Sequence, residues 1–90
     1  MLSNYEELKS IHNHQKSFYG KARIFRKKDR IYLISYNTIV CFVDTEHYIL
    51  HRLWGDYSKT TLIHVNEFVK QFIRSDLFIS ASDWRKMEVE

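Results

Sequence analysis

Clustered and alternating apolar residues predict that the middle of the chain is a succession of β-strands. Four segments rich in β-branched or aromatic residues follow one another between polar breaks, at residues 22–27, 30–36, 38–43 and 47–54. The breaks are too short for crossover connections, so we expect antiparallel hairpins. Asn37 alone separates the second segment from the third, and residues 30–43 can alternatively form one long bent strand.

Residues with a helical period flank the strand-rich region. The apolar positions that recur at this spacing after the strands are Leu62, Val65, Phe68, Val69 and Phe72. They predict an amphipathic helix near residues 60–73 that covers one face of the sheet.

The N-terminal segment shows a helix-start signal. Ser3 and Glu6 have the spacing of a capping box, and Tyr5, Leu8 and Ile11 follow on one helical stripe. We therefore predict a short first helix near residues 4–12.

These elements together predict an α+β fold, namely a four-stranded antiparallel meander with an N-terminal helix and a main C-terminal helix packed on one face. Ninety residues suffice for one domain, 1–90, with a modest core. We expect that core to span about residues 4–73. Residues 77–90 would form a C-terminal tail with a short helix capped by Ser82.

The composition bears on the cellular location of the protein and says little about its chemistry. No apolar run approaches the roughly 20 residues that span a bilayer, and the N-terminus lacks a basic-then-apolar signal pattern. The single cysteine, Cys41, lies in an apolar segment, where we expect a buried and inert thiol. These features favour a cytoplasmic protein.

The charge is unevenly distributed. The formal net charge is only +3, but residues 16–30 carry a cluster of cations against Asp29 alone: Lys16, Lys21, Arg23, Arg26, Lys27, Lys28 and Arg30. A local positive surface implies an acidic partner, which can be a nucleic acid or an acidic protein face.

Aromatic residues interleave with these cations. On a strand, Arg23, Phe25 and Lys27 share a face, and the neighbouring segment offers aromatic and apolar residues in alternation, including Tyr32 and Tyr36. Such an open face can stack bases and hold phosphates. Alternatively, the aromatics belong to the core and the cations are solvated at an edge. The candidate residues for binding a partner or nucleic acid are Lys21, Arg23, Arg26, Lys27, Lys28, Arg30, Tyr32 and Tyr36.

A second candidate site lies where the main helix begins. Its residues are Tyr57, Ser58, Lys59, Thr60, Thr61 and His64. Ser58 or Thr60 can cap the helix, and capping alone would explain why hydroxyl side chains cluster here. The free N–H groups and the lysine can also bind an anion or a partner. The segment lacks glycine, so it is not a phosphate loop.

Catalytic and metal chemistry receive little support. His64 and Glu67, at i and i+3, can act as a base and its orienter. They can equally form a surface pair or hydrogen-bond across to Tyr36 or Tyr57. The five histidines are scattered, although His47 and His51 would share a strand face, and they do not predict a zinc site. We expect no enzyme activity, no metal and no cofactor.

Two motifs carry a resemblance to a known type of domain. They are the hexapeptide at residues 35–40 (SYNTIV) and the segment beginning YSKTT at residues 57–61, which continues with His64, Glu67, Phe68 and Gln71. The stretch 17–72, including Tyr19–Gly20–Lys21–Ala22, resembles a small domain of unknown function in phage and plasmid proteins of Gram-positive bacteria. At Leu62 and Ile63 the chain departs from the pattern, in which a small residue and arginine precede the histidine.

The resemblance implies a function, since some similar proteins belong to loci that encode type II anti-CRISPR proteins. We therefore expect a non-enzymatic protein of a mobile element that binds a host CRISPR effector nuclease or its ribonucleoprotein in the bacterial cytoplasm. A stand-alone nucleic-acid-binding module is the alternative. A homodimer formed through a strand edge also stays open.

Overall fold

A computed structural model of the protein describes residues 5–90. Five strands and two helices occur within this range: β1 (Tyr5–Glu7), β2 (Ala22–Lys27), β3 (Arg30–Ser35), β4 (Thr38–Asp44), β5 (Ile49–Arg52), α1 (Lys59–Phe72) and α2 (Ala81–Lys86). The strands form one sheet in chain order, and each neighbouring pair is antiparallel. The α+β class and the antiparallel sheet are confirmed, but the sheet has five strands rather than four.

The predicted N-terminal helix is wrong in the part that the structure describes. Tyr5–Glu7 is the edge strand β1, and residues 8–12 are not helical. Ser3, the expected cap, lies outside the described residues. The Leu8 N–H donates to the Ala22 carbonyl over 2.9 Å, and the Leu8 side chain is buried. Pairing with β2 and burial of Leu8 therefore outweigh the local helix signal.

A hairpin joins β3 to β4, where the sequence also allowed one long bent strand. Residues 30–43 form two strands, because Tyr36 and Asn37 make a tight turn between Ser35 and Thr38. Tyr36 has a φ of 57°, in the left-handed region that a bulky residue rarely adopts. Lys28 holds the equivalent position in the β2–β3 turn, also with a φ of 57°.

The core lies between one face of the sheet and α1. Its buried members from α1 and the central strands are Leu33, Val40, Cys41, Val43, Val65, Phe68 and Val69. The predicted main helix near residues 60–73 is thus confirmed as α1. Burial also raises the pKa of the Cys41 thiol, as expected for an inert side chain.

The C-terminal tail contributes to the same core through Trp84, which is buried in α2. The predicted short helix is confirmed, but its cap is Ser80 rather than Ser82. The Ser80 hydroxyl accepts from the Asp83 N–H over 3.0 Å, and the Asp83 carboxylate accepts from the Ser80 N–H over 3.2 Å. The Arg52 guanidinium fixes α2 to β5 by donating to the Trp84 carbonyl over 2.8 Å.

Within residues 5–90, neither helix has the length and apolar character that crossing a membrane requires.

Candidate functional site

An aromatic row crosses all five strands on the face of the sheet opposite α1. The strand registers place one ring of each strand directly beside the next, in the order Tyr5, Phe25, Tyr32, Phe42 and His51. Phe25 and Tyr32 stack with centroids 4.7 Å apart, and Phe42 and His51 stack at 4.5 Å. The remaining two contacts, Tyr5–Phe25 and Tyr32–Phe42, each measure 5.3 Å between centroids.

Strand alternation explains why these rings leave the core. Successive side chains of a strand point to opposite faces, and the neighbours Ile24, Leu33 and Cys41 belong to the core cluster beneath α1. Phe25, Tyr32 and Phe42 therefore point the other way. No helix within residues 5–90 packs on that side, so we call it the uncovered face, although Phe42 is itself buried beneath the Arg30 side chain.

Arginine side chains cover parts of the row. The Arg23 guanidinium lies 5.6 Å from the Tyr5 ring centroid and donates to the Tyr36 carbonyl over 3.0 Å. The Arg30 guanidinium lies 4.4 Å from the Phe42 centroid and donates to the Tyr32 hydroxyl over 3.3 Å. These contacts combine cation–π attraction with hydrogen bonding and hold both cations at the surface of the row.

The structure brings together only part of the predicted partner-binding set. Arg23, Lys27, Arg30 and Tyr32 lie on the uncovered face, and Lys28 is exposed in the adjoining turn. None of the four cations has a carboxylate oxygen within 4.0 Å among residues 5–90.

Three predicted members lie elsewhere. Arg26 points to the helix side of the sheet, where its guanidinium is 3.5 Å from the Glu6 carboxylate and 5.5 Å from the Phe72 ring centroid. Lys21 and Tyr36 lie at the opposite end of the β2–β3 hairpin from Lys28. Tyr36 was expected to continue the alternation of β3, but its turn conformation directs the ring to within 5.9 Å of the His64 ring centroid.

The charge on the uncovered face is divided between its two sides. The β2–β3 hairpin contributes four cations and Asp29, with Glu7 of β1 opposite Arg23, whereas Asp44 and Glu90 lie on the β4–β5 side. Glu90 pairs with the His51 ring at the end of the aromatic row. A partner that approaches the hairpin side therefore meets a positive surface next to aromatic side chains.

The rings correspond only in part to the alternative that placed them in the core, because Phe42 is buried whereas Phe25 and Tyr32 are half-buried. Base stacking on the row stays a prediction. Phe25, Tyr32 and Phe42 each have a neighbouring ring on both sides within the row. A base would have to displace one of these rings to stack on its face. Access to the row is uneven: Tyr5 is exposed, Phe25, Tyr32 and His51 are half-buried, and Phe42 is buried.

The beginning of α1 is a capped helix start. The Ser58 hydroxyl, rather than that of Thr60, accepts from the Thr61 N–H over 3.0 Å. Thr61 is itself buried, and its hydroxyl lies 3.0 Å from the Ser35 hydroxyl. Tyr57 is half-buried against the core, and the Lys59 side chain is exposed. Whether this segment also binds an anion stays a prediction.

His64 lies one turn further along α1 and is 2% exposed. Its Nδ1 atom is 2.8 Å from the Ser35 hydroxyl oxygen, so a buried polar chain links Thr61, Ser35 and His64 across the α1–β3 interface. Burial, with a further contribution from the Lys21 ammonium, lowers the pKa of His64 to about 4. The ring is therefore neutral at pH 7.

The proposed pairing of His64 with Glu67 is wrong. The buried Glu67 carboxylate instead accepts from the His12 N–H through Oε1 over 2.7 Å. Its Oε2 atom accepts from the Gln71 side chain over 2.7 Å and lies 2.8 Å from the His12 ring. Burial alone would raise the pKa of Glu67, but these hydrogen bonds lower it. Gln71 also donates to the Lys9 carbonyl over 2.7 Å, so the network fastens residues 9–12 to α1.

A cluster of potential metal ligands lies in the turn after β4. Asp44, Glu46 and His47 bring one ligand atom each within 4.8 Å of the others. The Asp44 carboxylate already accepts from the Glu46 N–H over 2.8 Å and pairs with the His47 ring over 3.1 Å. These bonds stabilise the turn, lower the pKa of Asp44 and raise that of His47. His47 does not share a strand face with His51, as the sequence suggested, because β5 begins at Ile49.

Comparison with known proteins supplies a family but no activity. No curated protein and no solved structure shows significant similarity to the chain. Residues 6–86 match a family of unknown function (DUF8033), and the chain belongs to that family. The match agrees with the resemblance to a domain of unknown function, but it carries no statement about phages or CRISPR systems.

Proposed function

We propose that this family member is a non-enzymatic binding protein that docks through the hairpin side of its uncovered sheet face. The observation that carries the proposal is the aromatic row bordered by Arg23, Lys27, Lys28 and Arg30, which have no carboxylate partner within residues 5–90. Aromatic and arginine side chains are enriched at protein interfaces, where they supply much of the binding energy.

The row suits binding because it is already ordered before a partner arrives. Stacking between neighbouring rings and the contact of Arg30 with Phe42 and Tyr32 fix these side chains in the free protein. Less conformational entropy is therefore lost on association. The exposed side chains of Lys27 and Lys28 add electrostatic attraction for an acidic partner.

The partner that we propose is a bacterial CRISPR effector nuclease or its ribonucleoprotein. The protein would then be an anti-CRISPR-like inhibitor encoded by a phage or another mobile element and would act in the host cytoplasm. Support for this choice comes from the motifs at residues 35–40 and 57–61, and from the acidic surface that nucleic acid gives to a ribonucleoprotein.

Adjacent hairpin residues on opposite faces allow a matched test. The double variant Lys27→Glu/Lys28→Glu reverses charge on the hairpin side of the uncovered face, whereas Arg26→Glu reverses it on the helix side. We expect the double variant to weaken binding to a type II effector loaded with guide RNA by about 100-fold, since each charged contact contributes about tenfold. Interferometry measures the affinity, and target-DNA cleavage measures the inhibition.

Circular dichroism and thermal unfolding serve as controls that all variants fold. Equal binding by the double variant and the wild type, or an equal loss with Arg26→Glu, would contradict docking through this face. If no tested effector binds the wild-type protein, the proposed partner is wrong.

The interleaving of cations with aromatic residues favours a stand-alone nucleic-acid-binding module as a second candidate. Because the ring faces are occupied by one another, the contacts would be made mainly with phosphates. Affinity for single- or double-stranded probes should then fall steeply with increasing salt concentration, because each phosphate that the protein neutralises releases counterions. A salt-independent affinity, or no binding at low salt, would exclude this candidate.

A further inference from the structure

A concave site lies at the other end of the β2–β3 hairpin, away from the proposed docking face. A cleft of about 310 Å³ opens between the segment before β2, the Tyr36 turn and the first turns of α1, and we call it the His64 cleft. We propose that the His64 cleft binds a small organic anion that carries one phosphate or carboxylate group on an aromatic or similarly flat body. This ligand site goes beyond the docking function and does not depend on it.

The charge around the His64 cleft is positive. Lys16 and Lys21 line it, and none of its lining residues is an aspartate or glutamate. The Lys21 ammonium lies 5.9 Å from the Tyr36 ring centroid, and neither lysine has a carboxylate within 4.0 Å among the described residues. An anion in the cleft would meet cations that have not already been neutralised.

His64 provides a polar atom without a hydrogen-bond partner at the wall of the cleft. The residue is 98% buried, its Nδ1 atom is engaged by Ser35, and its Nε2 atom has no hydrogen-bond partner among residues 5–90. Nε2 is not among the fully buried unpartnered atoms of residues 5–90, so it keeps some accessible surface, and a polar atom of a ligand in the cleft can hydrogen-bond to it. Because the ring is neutral at pH 7, Nε2 can donate or accept according to its tautomer.

The backbone around the cleft is held in an unusual conformation. Tyr19 and Tyr36 both line the cleft, and both have φ values in the left-handed region, 54° and 57°. This conformation is unfavourable for a residue other than glycine. Lys28 and Tyr48, which do not line the cleft, share this conformation, so it is not specific to the site. The Tyr19 and Tyr36 rings are both exposed, which makes them accessible to the flat body of a ligand.

The start of α1 adds to the attraction for an anion. Thr60, in the first turn, lines the cleft, and the Lys59 and Thr60 N–H groups have no hydrogen-bond acceptor among the described residues. The partial positive charge of a helix N-terminus favours anions. The cleft thus combines two ammonium groups, a buried imidazole and two phenols.

Titration of the full chain with phenyl phosphate and with benzoate tests the proposal, and benzyl alcohol serves as the neutral control. We expect saturable chemical-shift changes in NMR spectra at the His64 ring and at the Lys21 and Tyr36 amides with at least one anion. Lys21→Gln should weaken that binding about tenfold. Lys86→Gln, which removes the same charge from an exposed position in α2, should leave it unchanged.

The anion that saturates identifies the preferred group: phenyl phosphate alone indicates a phosphate site, and response to both indicates a general anion site. The proposal is overturned if neither anion saturates these signals. It is also overturned if benzyl alcohol binds equally well, or if Lys21→Gln and wild type have the same affinity. Binding by the Lys27→Glu/Lys28→Glu variant should be retained, because the docking face is separate.

Discussion

The two faces of the sheet are built on different principles. The face beneath α1 buries aliphatic side chains together with Phe68 and Trp84, so its stability comes from removing apolar surface from water. The uncovered face arranges its rings side by side, with arginines lying over Tyr5 and Phe42. One face is therefore closed by α1, whereas the other has no helix over it among residues 5–90 and keeps half-buried rings beside its buried Phe42 and Ile34.

Truncating one ring on each face gives the largest expected contrast. Phe68→Ala should lower the free energy of unfolding by about 3–5 kcal/mol, since Phe68 is fully buried and leaves a cavity. Phe25→Ala should cost only about 1–2 kcal/mol, because a half-buried ring loses its stacking partners Tyr5 and Tyr32. Urea denaturation at pH 7 measures both. Equal costs would show that the uncovered face is part of the core.

Acid should destabilise the covered face through His64. Its pKa is about 4 in the folded protein, below the usual value of 6.5, so the unfolded chain binds a proton first as the pH falls. This contribution is fully present above pH 6.5 and is lost as the pH falls to about 4, at a cost of about 2–3 kcal/mol.

Equilibrium unfolding between pH 7 and pH 4 measures this loss, and an NMR titration of the His64 ring measures the pKa directly. His14→Gln, which alters an exposed histidine, should keep the wild-type profile. A His64 ring that titrates near pH 6.5 would show that the covered face is open to water at this point.

Charge removal should have the smallest effect on stability, whichever face it concerns. Arg26→Gln breaks an exposed ion pair with Glu6, and Lys27→Gln removes a cation that has no carboxylate partner in residues 5–90. Each variant should remain within about 0.5 kcal/mol of the wild type in urea denaturation. A larger loss for Lys27→Gln would mean that this cation supports the fold, and the docking test would then need a different variant.

Local periodicity predicted most of the secondary structure because each hairpin and α1 is encoded by neighbouring residues. The segment 22–27 coincides with β2, and the helix near residues 60–73 is displaced by one residue from α1. The strand β1 escaped prediction because its three residues carry a stronger helix-start signal than strand signal. Only pairing with β2, far along the chain, decides its conformation.

The candidate sites were less predictable because they depend on registers and turns. Alternation correctly placed Arg23, Phe25 and Lys27 on one face, but the aromatic row also needs the registers that bring Phe42 and His51 alongside. Tyr36 was assigned to this face because nothing in its local sequence shows that β3 ends at Ser35. The bonds from His12 to Glu67 join residues 55 positions apart, beyond the reach of any local pattern.

The two edge strands of the sheet bear on whether the protein aggregates at high concentration. β1 has only three residues, two of them glutamates, and at β5 the Glu90 N–H already donates to the Arg52 carbonyl while Val89 bridges the same residue. Edge strands that are short, charged or already hydrogen-bonded offer few free backbone groups for pairing with another strand. We therefore expect concentrated solutions to resist fibril growth, and self-association would have to proceed through side chains rather than by extension of the backbone ladder.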